Sequence, residues 1–331
     1  MPGDFRSAME GANVSALWER TDRDAAQVAE VPHLWPWAEL DPLLDAAVHE
    51  TDMDNAERRV LVLENPSYRG TQRIGASLNM VVNLQVIMPG EFARPHRHRL
   101  NALRFIIEGD GGAVTTVDGI PVPMLPGDFL LTPGWCWHEH THGGKGRAVW
   151  LDALDAQLQR HLCTNETEMG PSNDMPPPRA HNAYEGAGIT PLLGDDAKPH
   201  SPIFRYPLAD VRGALGAMPE AADGARRIRY TNPLTGGAAM AGIDCYMLAP
   251  GQARDTRPYR TNANMVCLVV EGEGVSQVGE HALSWGKNDI FSLPRGHWIS
   301  HRASSADALV FQLTDREVLA SLHYLREEFR D

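Results

Sequence analysis

From about residue 59 to 157, short apolar runs alternate with turns rich in Gly, Pro and Asp. The runs "VVNLQVIMPGE", "LRFIIEGDGG", "VPMLPGDFLLTPG" and "RAVWLDAL" follow one another at the spacing of an all-β barrel or sandwich. Residues 6 to 30 place Ala8, Ala12, Leu17 and Trp18 near one face of a helix. "HLWPWAELDPLL" over 33–44 ends that region with prolines and tryptophans. The stretch 160–200 is rich in Pro, Asn and Gly and reads as an irregular connector. "FRYPLADVRGALGAM" (204–218) predicts a short helix, after which strands resume near 240 and run to about 313. The tail "TDREVLASLHYLREEF" predicts a further helix. Thr314 and Glu317 fit a capping box, and Val318, Leu322, Leu325 and Phe329 make one apolar stripe.

The two β regions read as one unit used twice. The order Pro-Gly, Glu-Gly, Gly-x-Asp, Pro-x-Gly and Trp-x-x-His recurs between "MPGEF … FIIEGDGG … PGDFLLTPGWCWHEH" and "APGQA … LVVEGEGV … WGKNDIFSLPRGHWISH". The chain then divides into an N-terminal helical or extended segment (1–58), a first barrel (59–157) and a connector with a short helix (158–235). A second barrel (236–314) and a C-terminal helix (315–331) follow.

Composition narrows the class. The chain has 331 residues, 43% apolar and 22% charged, as in ordinary globular proteins. A net charge of −13 argues against nucleic acid as a partner. No apolar run has the roughly 18 residues of a membrane helix. The N-terminus lacks the basic head and apolar core of a signal peptide. Cys136, Cys163, Cys245 and Cys267 stand far apart, form no CxxC, and read as thiols in a reducing cytoplasm.

Candidate chemistry lies in "RPHRHRLNALRFIIEG". Side chains two apart on a strand share a face, so His96 and His98 aim the same way, and Arg104 joins them if the strand continues. His138 follows about 40 residues on, in "WCWHEH", after a Gly-Asp turn. Three imidazoles from neighbouring strands can hold one face of a metal and leave other positions open for catalysis. A lone His-x-His is more often a pair of exposed polar residues, but here the glycines, Pro133 and the third histidine stand at matching distances.

These spacings resemble both cupin motifs. The usual carboxylate ligand four or five residues after the second histidine is missing, since Ala102 and Leu103 stand there. With "HRH", "ALRFIIEG", "PHLWPW", "VLVLENP", "FRYPLADVRGAL" and "TNPLTGG", nearly the whole chain resembles the gentisate 1,2-dioxygenase family, which includes salicylate, 5-nitrosalicylate and 1-hydroxy-2-naphthoate dioxygenases. The resemblance implies a bicupin: two double-stranded β-helix (jelly-roll) barrels with peripheral helices at the N-terminus, linker and C-terminus. It implies Fe(II), one per chain, on His96, His98 and His138. The substrates would be a small aromatic hydroxy acid and O2, with ring opening between the carbons bearing carboxyl and hydroxyl. A homotetramer or other homo-oligomer is expected.

The same resemblance assigns further residues. Arg104 would grip the substrate carboxylate through a planar fork, or else serve an internal salt bridge. His140 would share the face of His138 and exchange hydrogen bonds with substrate or oxygen. Gln85 matches a pocket glutamine, and Asn83 shares its face. Arg59 is a possible second carboxylate contact, aligned only to within a residue. Asp152 matches an aspartate near the ring substituent. Trp135 and Trp137 read as packing residues. In the second barrel, either Arg257 and Tyr259 or Tyr259 and Thr261 replace the histidine pair. There Ile299 replaces His138 and His301 matches His140, which leaves that half structural. Val81 stands where the family tends to place a tryptophan. Gentisate is the first choice of substrate, followed by salicylate or a 5-substituted salicylate, then hydroxynaphthoate. A metal cupin that is not an oxygenase is the reading from another class.

Overall fold

The chain winds through one strand-and-helix pattern twice. A computed structural model describes residues 2–19, 29–52, 58–170, 184, 191, 200–252 and 254–330. After α1 (Pro2–Gly11), the first pass runs β1 (His33–Trp35), α2 (Trp37–Glu50), β2 (Arg59–Val62), β3 (Val81–Ile87), β4 (Phe92–His98), β5 (Ala102–Glu108) and β6 (Ala113–Val117). It continues with β7 (Ile120–Pro123), β8 (Phe129–Thr132), β9 (His138–His142), β10 (Ala148–Leu154), α3 (Ala156–His161) and β11 (Thr167–Met169). The second pass repeats the order: β12 (Arg205–Tyr206), α4 (Leu208–Ala217), β13 (Arg226–Arg229), β14 (Asp244–Ala249), β15 (Tyr259–Thr261), β16 (Met265–Glu271) and β17 (Gly274–Val278). Then come β18 (His281–Trp285), β19 (Ile290–Leu293), β20 (Trp298–Ala303), β21 (Leu309–Thr314), α5 (Arg316–Ser321) and β22 (Glu327–Phe329).

Each pass builds a barrel from two antiparallel sheets. The first barrel pairs β12-β8-β5-β10-β3-β2 with β11-β4-β9-β6-β7. The second pairs β1-β19-β16-β21-β14-β13 with β22-β15-β20-β17-β18. The two lists match strand for strand. The edge strand of each larger sheet comes from the other pass: β1 pairs with β19, and β12 with β8. The helix that follows each exchanged strand is anchored the same way. Pro36 and Pro207 precede the helices and offer no capping oxygen. The first helical N–H groups are met instead by the opposite barrel: Trp37 donates to Asp289 at 2.7 Å, and Leu208 donates to Asp128 at 2.9 Å. Gly127, at φ +85°, lets the chain turn beneath this contact, because a Cβ there would lie 2.3 Å from the Leu208 side chain.

Period-two alternation divides the work of the larger sheets. In β5, Arg104 faces its own barrel, while Phe105 meets Phe311 of the second barrel at 4.4 Å between ring centroids. Phe129 and Tyr230 join that cluster at 4.7 Å. The strands are therefore buried on both faces and read as continuous apolar runs.

Several expected elements take another form. The helix expected over 6–30 is α1 followed by a short 3-10 turn at Leu17–Glu19, and residues 20–28 lie outside the described residues. The segment 33–44, read as a break, is β1 and the start of α2, with Pro42 on an exposed side of the helix. The C-terminal helix expected over 315–331 is only α5, followed by β22. The main chain of β22 pairs with β15, so Phe329 lies exposed in a strand. Glu317 binds Arg229 and makes no capping box, because Thr314 is already in β21 and its hydroxyl donates to the Asn264 carbonyl. No helix among the described residues is long and apolar enough to cross a membrane.

Candidate functional site

Strands β4 and β9 place the histidines. His96 stands directly opposite His138 in the ladder, and His98 follows on the same face. Their candidate ligand nitrogens all lie within 4.8 Å of one another. The ring centroids are separated by 4.1 Å (His96 to His138), 4.9 Å (His98 to His138) and 5.2 Å (His96 to His98). His138 Nδ1 lies 3.0 Å from the Cys136 carbonyl, and His98 Nδ1 lies 2.8 Å from the Leu100 carbonyl. A carbonyl only accepts, so both rings carry their proton on Nδ1 and keep Nε2 for a ligand bond. His138 Nε2 is buried and has no partner.

The electrostatics favour neutral rings. Burial, then Arg58, His98 and Arg104, depress His96 to about 2. Burial and the same two arginines lower His98 to about 4 against a raising bond from Leu100. His138 is held well below the ordinary range by burial first, then by His96 and Arg104. A neutral imidazole is the metal-binding form, so this donor set fits a divalent ion.

The larger sheet brings polar groups to the same space. Arg104 on β5 and Asn83 on β3 stand directly opposite Asp152 on β10, one on each side. Asp152 Oδ2 accepts from Gln85 Nε2 at 2.7 Å, and Oδ1 lies 3.6 Å from Arg104 Nε. Arg104 Nη1 also donates to the Thr132 hydroxyl. Burial raises the Asp152 carboxyl, against the pull of Arg104. The salt-bridge alternative for Arg104 is therefore present, and Asp152 is its partner. Asn83 Oδ1 is buried without a partner. His140 lies 6.3 Å from His138 between centroids, takes its Nδ1 contact from Thr115 at 2.9 Å, and has a buried Nε2 without a partner.

Arg59 is not at the site. Its side chain donates to Glu91 at 2.6 Å and to the Thr51 carbonyl at 2.7 Å. The neighbouring Arg58 reaches the histidines instead, with Nη2 2.8 Å from His96 Nδ1. The run "ERRVLV", aligned only to within a residue, covers both arginines. Thr132 was missed by sequence reasoning, because a hydroxyl in an apolar strand carries no signal until its partner is seen.

The second barrel shows what replaced these groups. Tyr259 stands opposite Ile299, as His96 stands opposite His138, which selects Tyr259 and Thr261 as the replacements for His96 and His98. Cys267 pairs with Gln312 as Arg104 pairs with Asp152. His301 keeps a contact with Ser276 at 2.7 Å, like that of His140 with Thr115.

A family model described as a cupin domain matches residues 83–154. The chain is 36% identical to gentisate 1,2-dioxygenase 1 of Aquipseudomonas alcaligenes, over 98% of this chain and 95% of that one. It is 32% identical to the 5-aminosalicylate 1,2-dioxygenase of a Comamonas species, over 97% and 88%. The salicylate 1,2-dioxygenase of Pseudoaminobacter salicylatoxidans, solved with gentisate, superposes with a TM-score of 0.88 at 29% identity, covering 99% of this chain and 93% of that one.

Proposed function

Because this chain belongs to the gentisate 1,2-dioxygenase family and is a metal-binding, ring-cleaving aromatic dioxygenase, we propose that it opens gentisate with ferrous iron, one per chain. The observation that carries this reading is the cluster of three converging imidazoles, with a buried and partnerless His138 Nε2, beside Arg104. His96, His98 and His138 would hold the ion. Iron, when bound, supplies the electronic link between an electron-rich ring and O2 that organic side chains lack.

The protein groups orient and neutralise. Arg104 receives the substrate carboxylate. Thr132 accepts from one of its nitrogens, and the Asp152 carboxylate, 3.6 Å from Nε, balances its charge. His140 presents Nε2 for proton exchange with the substrate or with oxygen. Gln85 keeps the Asp152 carboxylate turned toward Arg104, and Asn83 lines the wall beside it. Arg58 adds positive charge that draws an anionic acid into an acidic protein.

Val81 favours a second reading, salicylate or a 5-substituted salicylate. It shares a face with Asn83 and Gln85 and leaves room where the family tends to place a tryptophan. A homo-oligomer in the cytoplasm completes the proposal. The test is turnover of iron-loaded protein, prepared without oxygen, on gentisate, salicylate, 5-aminosalicylate and 1-hydroxy-2-naphthoate. Ring-fission absorbance and oxygen uptake are recorded together. Gentisate should be the best substrate with one O2 consumed per ring opened. Preference for salicylate would move the assignment to the second reading, and no oxygen uptake with any acid would overturn both.

A further inference from the structure

Trp135 combines a left-handed backbone with a stacked ring next to the metal strands. Its φ is +66°, in the region that favours glycine, and its N–H donates to the His98 carbonyl at 2.7 Å. The indole stacks with two guanidiniums, Arg97 4.3 Å and Arg99 4.0 Å from the ring centroid. These two arginines flank His98 and point to the other face of β4. The next residue, Cys136, supplies the carbonyl that accepts from His138 Nδ1. One residue therefore touches the supports of two candidate ligands.

The second barrel is an internal control. Its counterpart is Gly296, at φ +83°, which makes the equivalent backbone bond to the Thr261 carbonyl at 2.8 Å. The turn therefore does not need an indole. The outer stack of Arg97 on Trp137 is kept there as Arg260 on Trp298, and the ion pair Arg97–Glu168 as Arg260–Glu328. Asn262 replaces Arg99. The left-handed tryptophan and its second arginine occur in the barrel that holds the histidine triad. The turn is also closer there: a Cβ on Gly134 would lie 2.4 Å from the Arg99 carbonyl, whereas the second barrel tolerates Arg295 at that place.

We propose that Trp135, stacked with Arg97 and Arg99, is a positioning residue that locks the β8–β9 turn onto β4 and so fixes His98 and His138 for the metal. The proposal rests on the reading of His96, His98 and His138 as the ligands. Co(II) serves as the probe, with affinity measured by chelator competition and ligand geometry by its visible d–d absorption. Trp135→Gly should weaken Co(II) binding about 10- to 100-fold, as expected for an outer support of a ligand, and alter the d–d bands. Melting of the metal-free chain should shift little, because relief of the left-handed strain offsets the lost stacking. Arg99→Gln, at a half-exposed surface position, should weaken binding in the same direction, while Trp135→Phe should restore most of it. Arg260→Gln in the second barrel should change neither. Wild-type Co(II) affinity in both Trp135→Gly and Arg99→Gln would overturn the proposal alone. A wild-type chain that binds no Co(II) would overturn the ligand reading beneath it.

Discussion

His138 and Ile299 occupy matching places in two barrels of one chain, and among the described residues the three-histidine group lies in the first barrel. His138→Ala should abolish metal retention, because the described residues of the second barrel offer no substitute triad. Metal analysis near one equivalent in that variant would contradict the ligand set. Arg104→Lys keeps the charge and loses the planar fork. Metal content should stay normal while kcat/KM falls about 10- to 150-fold, the equivalent of one charge-assisted bond of roughly 1.5–3 kcal/mol. Wild-type turnover on every acid tested would leave Arg104 as only the partner of Asp152. The histidines were legible from residue spacing alone, since strand alternation puts positions 96 and 98 on one face. Arg58 was not, because a slip of one residue sends a side chain to the opposite face.

At the scale of elements, α2 and α4 depend on carboxylates from the opposite barrel. Asp128 accepts from Leu208 N–H and from Arg205, and Asp289 accepts from Trp37 N–H and Gly286 N–H. Asp128→Ala and Asp289→Ala should each cost about 1–3 kcal/mol, the loss of a cap and its companion bond, read as a lower denaturation midpoint. Unchanged midpoints in both would show that the exchanged helices are held by apolar packing alone. The helix at 208–217 was visible in sequence because its pattern stands between loops. α2 was masked by its two prolines, one before the helix and one on its exposed side. The tail misled for another reason. Its apolar residues have helical spacing, but the main chain of residues 327–329 completes the edge of β15, and backbone pairing leaves no periodic trace.

For the whole molecule, a buried histidine makes stability depend on pH. His301 lies in the second barrel away from the triad, and burial lowers it from 6.5 to about 3. The unfolded chain takes up this proton below about 6.5, while the folded chain refuses it until about 3. Unfolding therefore consumes protons across that window, and stability falls as pH drops through it. His301→Gln should flatten the dependence by about one proton while leaving metal content near one per chain. An unchanged slope between pH 6 and 4 would show that His301 is not excluded from protonation in the fold.

The order of strands, the duplication and the histidine triad were written in local patterns, because alternation and turn residues act over a few positions. The replacement of the triad in the second repeat was visible by comparing the halves, although the alignment of Tyr259 was settled only by its pairing with Ile299. Tertiary structure alone decided the reciprocal exchange of β1 and β12, the carboxylates that anchor the opposite helices, and the Arg104–Asp152–Gln85 chain. Those contacts join residues dozens to hundreds of positions apart. They exist because closing two barrels against one aromatic seam brings distant backbone edges and buried charges within bonding distance, and nothing in a short window of sequence encodes that distance.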